Sequence, residues 1–279
     1  MMAQSLDQGT TSAAATRSLV RRGWNDLVQG LFNWRLWHLM GIGVLRRRYS
    51  RSKLGQFWTT ITMAVMVTVM GLVWSILWRM PIGEILPFIA GSLVLWTFFT
   101  GVIGEATTVM STSGNYFLNQ NISFSIPIYA IVYNQLITLL HNSVIVVIVL
   151  ILFPRNPGWN ILLFIPGFIL TLITLVWVSC AVAILCARYR DVVQLIASIL
   201  QTAFYVTPVM FRPDFVPAEY QWINFVNPFA VFLSITRDPL FGFPMHWETW
   251  LIAIVVALGG AVWALSFVGR FCKRVIYWI

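Results

Sequence analysis

A dense set of charges, Arg188-Tyr189-Arg190-Asp191, stands between two long apolar runs in a chain with only 18 Lys and Arg and 9 Asp and Glu among 279 residues. It reads as a short turn whose arginines anchor topology and whose Asp191 favours a helix start, rather than as a site of chemistry. Charge this sparse makes each position informative. A second concentration, Arg46, Arg47, Arg48, Arg51 and Lys53, is the chain's main basic run. Guanidinium forks bind phosphate oxygens bidentately, so this run suits a lipid-pyrophosphate headgroup. The same residues also read as the positive flank of a membrane span, and both readings place them at the cytoplasmic surface.

Catalysis is poorly provided for. The acids Glu84, Asp214, Glu219, Asp238 and Glu248 are scattered, and none forms a close pair beside a histidine. With Lys53 and Lys273 the only lysines, no G-x-x-x-x-G-K-[ST] phosphate loop exists, and HExxH and GxSxG are absent as well. An intramembrane glycosyl or acyl transferase is therefore the weaker class. Cys180, Cys186 and Cys272 stand alone without metal-ligand spacing and read as small buried apolar residues. His141, beside Asn142 in an apolar run, suits a helix–helix hydrogen bond better than a proton relay. Glu105 is the one acid inside an apolar run. An ionised group at mid-bilayer costs about 3 kcal/mol or more, so Glu105 is expected near a span end, paired with Arg47, Arg51 or Arg188.

The elements that must position these residues follow from composition. The chain is 59% hydrophobic, with a mean hydropathy of +0.80, the profile of an all-α polytopic membrane protein. About 20 apolar residues cross a bilayer core as a helix, and six stretches qualify: roughly 56–78, 85–109, 128–153, 159–187, 192–211 and 250–269. Their runs are continuous rather than alternating, which excludes a β-barrel. Of the 18 basic residues, 14 fall in residues 1–55, the Arg188 turn and the tail from Arg270; only Arg79, Arg155, Arg212 and Arg237 fall on the other side. Both termini are thus expected in the cytoplasm. Residues 1–20 are expected as a disordered tail, 21–53 as an amphipathic interfacial helix, and 54–279 as the six-span domain.

Two faces stand out within the spans. Gln56, Thr60, Met63, Val67, Met70, Trp74 and Trp78 recur at helical spacing in the first, and Gln194, Ser198, Gln201, Tyr205 and Pro208 in the fifth. Packing accounts for one such stripe. Two stripes of amide, hydroxyl and aromatic groups also suit a sugar-conducting surface, since sugars present hydroxyl edges and C–H faces. The loop at residues 111–127 is uncharged although expected in the cytoplasm, which a short helix over Asn115–Asn121 docking into another protein would explain. Between Arg212 and His246 five prolines surround an apolar run too short to cross. Two short re-entrant helices broken near Asn227-Pro228 are expected there.

Four stretches carry a resemblance to a known family: Arg46-Arg47-Arg48-Tyr49 with Leu54-Gly55-Gln56-Phe57-Trp58, Leu95-Trp96-Thr97-Phe98-Phe99, Arg188-Tyr189-Arg190-Asp191, and Asn227-Pro228-Phe229. Their order and spacing resemble the membrane subunits of type-2 ATP-binding-cassette exporters, in particular the O-antigen and capsular polysaccharide branch. The resemblance implies a homodimer paired with two copies of a cytosolic ATPase that binds ATP and Mg, with no cofactor in this chain. It implies channel-lining roles for Gln56, Thr60, Met63, Met70, Trp74, Trp78, Gln194, Ser198, Gln201 and Tyr205. ATPase coupling would fall to Asn115, Tyr116, Phe117, Leu118, Asn119 and Gln120, headgroup binding to the basic run, and an outer gate to Trp222, Phe225, Pro228 and Phe229. The cargo implied is lipid-linked polysaccharide at the bacterial inner membrane; drug, small-lipid or teichoic-acid export would use the same partner. One departure stands out. Many relatives carry basic residues and a Phe-Pro or Leu-Pro step where this chain has Asn119, Gln120, Asn121 and Ser123, which leaves apolar and amide contacts to seat an ATPase.

Overall fold

A computed structural model describes residues 2–50, 52–114, 116–117 and 122–278. Those residues fold entirely as helices and connections. The helices are α1 (Met2–Phe32), α2 (Trp34–Tyr49), α3 (Phe57–Leu77), α4 (Ile82–Ala106), α5 (Val109–Thr112), α6 (Ser125–Leu152), α7 (Phe164–Arg188), α8 (Asp191–Val206), α9 (Trp222–Val226), α10 (Pro228–Phe241) and α11 (Trp247–Phe271). Five are long and apolar enough to cross a membrane: α3, α4, α6, α7 with its leading 3-10 turn, and α11.

α4 is the centre of the bundle. Of its apolar stretch 83% is buried, against 17% for α3 and 22% for α6 and α11, and α3, α6, α7 and α10 all pack on it. A helix apolar on every side belongs inside. Its one weak point is Pro87, whose missing N–H orphans the carbonyl four residues back. That carbonyl belongs to Gly83, and Arg155 Nη2 donates to it at 3.1 Å.

The expected fifth span, 192–211, is cut short. α8 has 16 residues, about 24 Å of helix, less than a bilayer core of about 30 Å. Thr207 precedes Pro208 and is extended, as the proline ring requires of the residue before it. The break expected at Asn227-Pro228 is present. Asn227 Oδ1 accepts from the Phe229 and Ala230 amides at 3.0 and 3.4 Å, while its Nδ2 donates to Thr207 Oγ1 at 2.9 Å. One side chain thus starts α10 and ties it to the end of α8. α10 closes on Gly242, whose φ of 68° suits a residue without Cβ.

The stretch expected as a tail is helical from Met2 within α1, which packs along α11. The two backbones meet at glycines: a methyl group on Gly23 would strike the Leu265 carbonyl, and one on Gly269 the Leu19 carbonyl. Asp26 then accepts from the Phe124 and Ser125 amides, both at 3.0 Å, at the start of α6. Burial pushes the Asp26 carboxyl above its ordinary 3.8, and hydrogen bonds from Ser125 and Phe124 offset this only in part.

Candidate functional site

The two stripes read from sequence have opposite fates. On α3, Met63 and Val67 are buried, and Gln56, Thr60, Met70, Trp74 and Trp78 are half-buried. This is the face with which α3 packs on α4 and α6; Gln56 Nε2 reaches Thr138 Oγ1 of α6 at 3.4 Å. Here packing within the subunit explains the spacing. The opposite face of α3, with Phe57, Trp58, Ile61, Val65, Val69 and Ile76, is exposed.

On α8 the polar stripe stays outside. Gln194, Ser198, Gln201 and Tyr205 are all exposed, and no α8 residue is fully buried. The apolar face goes inward, where Phe204 meets Trp96 of α4 with ring centroids 5.6 Å apart, and Trp96 meets Phe229 of α10 at 5.3 Å. Trp96, at the centre of the Leu95–Phe99 motif, is therefore the block on which α8 and α10 both rest. An open groove of about 510 Å³ runs between Ser198 and Thr202 of α8 and Pro228 and Phe229 at the start of α10. Trp222 is exposed and Phe225 half-buried, on the short helix just before that start.

At the basic end, Glu105 takes a partner other than those expected. Arg48 Nη2 lies 2.7 Å from its Oε1, Gln135 Nε2 donates to the same oxygen at 2.9 Å, and Asn134 Nδ2 to Oε2 at 3.2 Å. The pair holds Arg48 more firmly in its charged form. Spacing along the arginine run could not single out Arg48, itself an exposed residue, because only the docking of α2 against α6 decides which arginine reaches Glu105. Arg46, Arg47 and Lys53 remain exposed, and Arg47 and Arg48 border a cavity of about 630 Å³ that reaches Glu105, Thr108, Thr112 and Tyr116. Arg51 lies outside the described residues.

Of the expected coupling residues, Tyr116 is exposed and Phe117 buried; Asn115, Leu118, Asn119 and Gln120 lie outside the described residues. The Arg188 turn is structural. Arg188 sits over the rings of Tyr189 and Trp278, 5.2 and 5.3 Å from their centroids, and Asp191 begins α8, where negative charge favours a helix start. His141 Nδ1 contacts the Ile137 carbonyl of its own helix at 2.8 Å, so it bridges no helices through that atom.

Arg237 carries more structure than its sequence position indicates. It is buried, with Nε and Nη2 on Asp238 Oδ1 at 2.8 and 2.7 Å and Nη1 on Ser92 Oγ and the Pro208 carbonyl, both at 3.0 Å. Its guanidinium lies 4.1 Å from the Phe88 ring centroid. One side chain thereby joins α4, α10 and the break after α8. Nothing in the residue spacing marks it, since its partners are up to 145 positions away.

These features define a multi-pass, all-helical membrane transport subunit. Residues 36–241 match the model of the ABC-2 type transporter family, and the chain belongs to that family as a type-2 ATP-binding-cassette permease. It is also similar to the O-antigen export system permease protein RfbA of Klebsiella pneumoniae, with 24% identity over 211 residues, 73% of this chain and 79% of that protein.

Proposed function

We propose that this permease moves a lipid-linked polysaccharide, of the O-antigen or capsular type, across the bacterial inner membrane. The observation that carries the proposal is the exposed polar face of α8, Gln194, Ser198, Gln201 and Tyr205. A row of amides, a hydroxyl and a phenol is costly against lipid tails, so the face calls for a second protein surface or a hydrated path. The groove beside Ser198 and Thr202 is lined mainly by Ile199, Ala203, Val206, Pro228 and Phe229, an apolar and aromatic surface against which the C–H faces of a sugar can lie. The similarity to an O-antigen export permease points to the same cargo.

In this reading a second copy of the chain supplies the facing wall. α8 and the segment Thr207–Arg212 together serve as the fifth of six spans, α9 and α10 form a re-entrant gate, and both termini are cytoplasmic. Lipid pyrophosphate is gathered by Arg46, Arg47, Arg51 and Lys53, with Arg48 held beside it by Glu105. A separate ATPase binds ATP and Mg and acts through residues 115–120.

The test is export by cells carrying Gln201→Leu together with Tyr205→Leu. Surface glycan should be lost while the permease still copurifies with its ATPase. Unaltered surface glycan overturns the path along α8, and accumulation of a drug or small lipid instead of lipid-linked glycan on deletion of the permease overturns the cargo.

A further inference from the structure

At the end opposite the arginine run, α9, the second half of α10 and the start of α11 enclose a cavity of about 110 Å³ to which no residue of α8 contributes. Its charged walls are self-neutralising. Arg237 is bonded to Asp238, and Arg212 Nη2 lies 2.8 Å from Asp214 Oδ2. No unpaired cation is left among them to favour an anion, and no unpaired carboxylate to favour a metal or amine.

What remains available is neutral. The side chains of Asn224 and Thr249 have no hydrogen-bond partner among the described residues, and Gln221 makes only a long contact, Nε2 to the Val216 carbonyl at 3.4 Å. Phe225 and Trp250 supply aromatic surface, with His246 edge-on to Phe225 at 6.3 Å between centroids. Amide and hydroxyl groups that both donate and accept, set beside ring faces, match a molecule with hydroxyls at its edge and C–H groups on its face. At about 110 Å³ and open on one side, the cavity is smaller than the roughly 150 Å³ that accommodates benzene, so it receives one edge or face of a single ring rather than a chain.

We infer that this cavity is a binding site for a single neutral sugar ring, separate from the α8 face. The assignment rests on the polysaccharide reading above and adds a second point of contact to it. A sugar held there would engage α9, α10 and α11 together, the elements read as the outer gate.

Saturation-transfer NMR on the purified full-length permease tests the site, with glucose, galactose, mannose and N-acetylglucosamine offered in turn as probes. At least one should receive saturation from the wild type. Asn224→Leu should weaken its binding about three- to tenfold, the effect of one neutral hydrogen bond. Gln221→Leu, at the exposed mouth, gives a second reading with little risk to folding, and Val255→Ala, on the exposed face of α11 away from the cavity, should leave binding unchanged. No transfer to any of the four sugars, or equal binding by the wild type and both cavity variants, overturns the site. Failure of the export test with intact sugar binding overturns the α8 path alone. Normal dependence of export on α8 with no sugar binding overturns this site alone.

Discussion

α3 and α8 display polar and aromatic residues at the same helical spacing, yet α3 turns its stripe into the subunit and α8 turns its stripe out. The difference lies in the remaining residues of each helix. α3 is apolar on its other face as well, with Trp58, Ile61, Val65, Val69 and Ile76 exposed, so lipid accepts that face and the stripe is free to pack on α4 and α6. α8 turns Val192, Val193, Ile196, Leu200 and Phe204 to the core, and Leu195, Ile199 and Val206 stay exposed beside its polar row. Its polar side has nowhere to go but outward. A stripe therefore defines a face, and the opposite face decides which way it points.

The most severe way to break this comparison is to charge the α3 stripe. Val67 is 1% exposed, and Val67→Lys buries an unpaired ammonium at about 3 kcal/mol or more. Little monodisperse protein should survive solubilisation; a normal yield would mean that the α3 face is open to water. Truncation comes next. Met63→Ala should destabilise by about 2–5 kcal/mol, read as a fall in thermal midpoint, whereas Tyr205→Ala, at a side chain 65% exposed, should change stability by no more than about 0.5 kcal/mol. Accessibility sharpens the contrast without perturbing the fold. Ser198→Cys should react with a membrane-impermeant maleimide and Val67→Cys should not, in a Cys272→Ser background whose other cysteines, Cys180 and Cys186, are buried.

The smallest effect concerns Asp26, a polar contact that is inside like the α3 stripe. Its folded-state carboxyl titrates above 3.8, so the folded form binds the proton more readily than the unfolded one. The stabilisation tied to that proton is complete below 3.8 and is lost as pH rises through the higher folded value. Asp26→Asn should flatten the pH dependence of the thermal midpoint in that interval, and an unchanged slope would assign it to another group.

Much of the architecture was legible along the chain. Long apolar runs marked α3, α4, α6, α7 and α11, and proline chemistry marked the break at Asn227-Pro228. The fifth apolar run continues past Thr207, but its helix does not, because Pro208 ends it on steric grounds. The Glu105 partner was placed on neighbouring arginines, because α2 turns a different residue inward every position and only its contact with α6 selects Arg48. The charge count assigns Arg237 only to a side of the membrane and says nothing of Ser92, Pro208 and Asp238, which surround it.

By itself, the sequence determined where helices lie and that they belong in a membrane, because burial of backbone polar groups in lipid allows long apolar runs no other form. It also determined which residues share a face, since 3.6 residues per turn is a local property. Only the tertiary structure decided which faces meet: that α4 is central, that α1 packs on α11 at Gly23 and Gly269, and that α8 leaves its polar row uncovered. Those choices depend on contacts between residues far apart in the chain, and helical spacing says nothing about what stands on the other side.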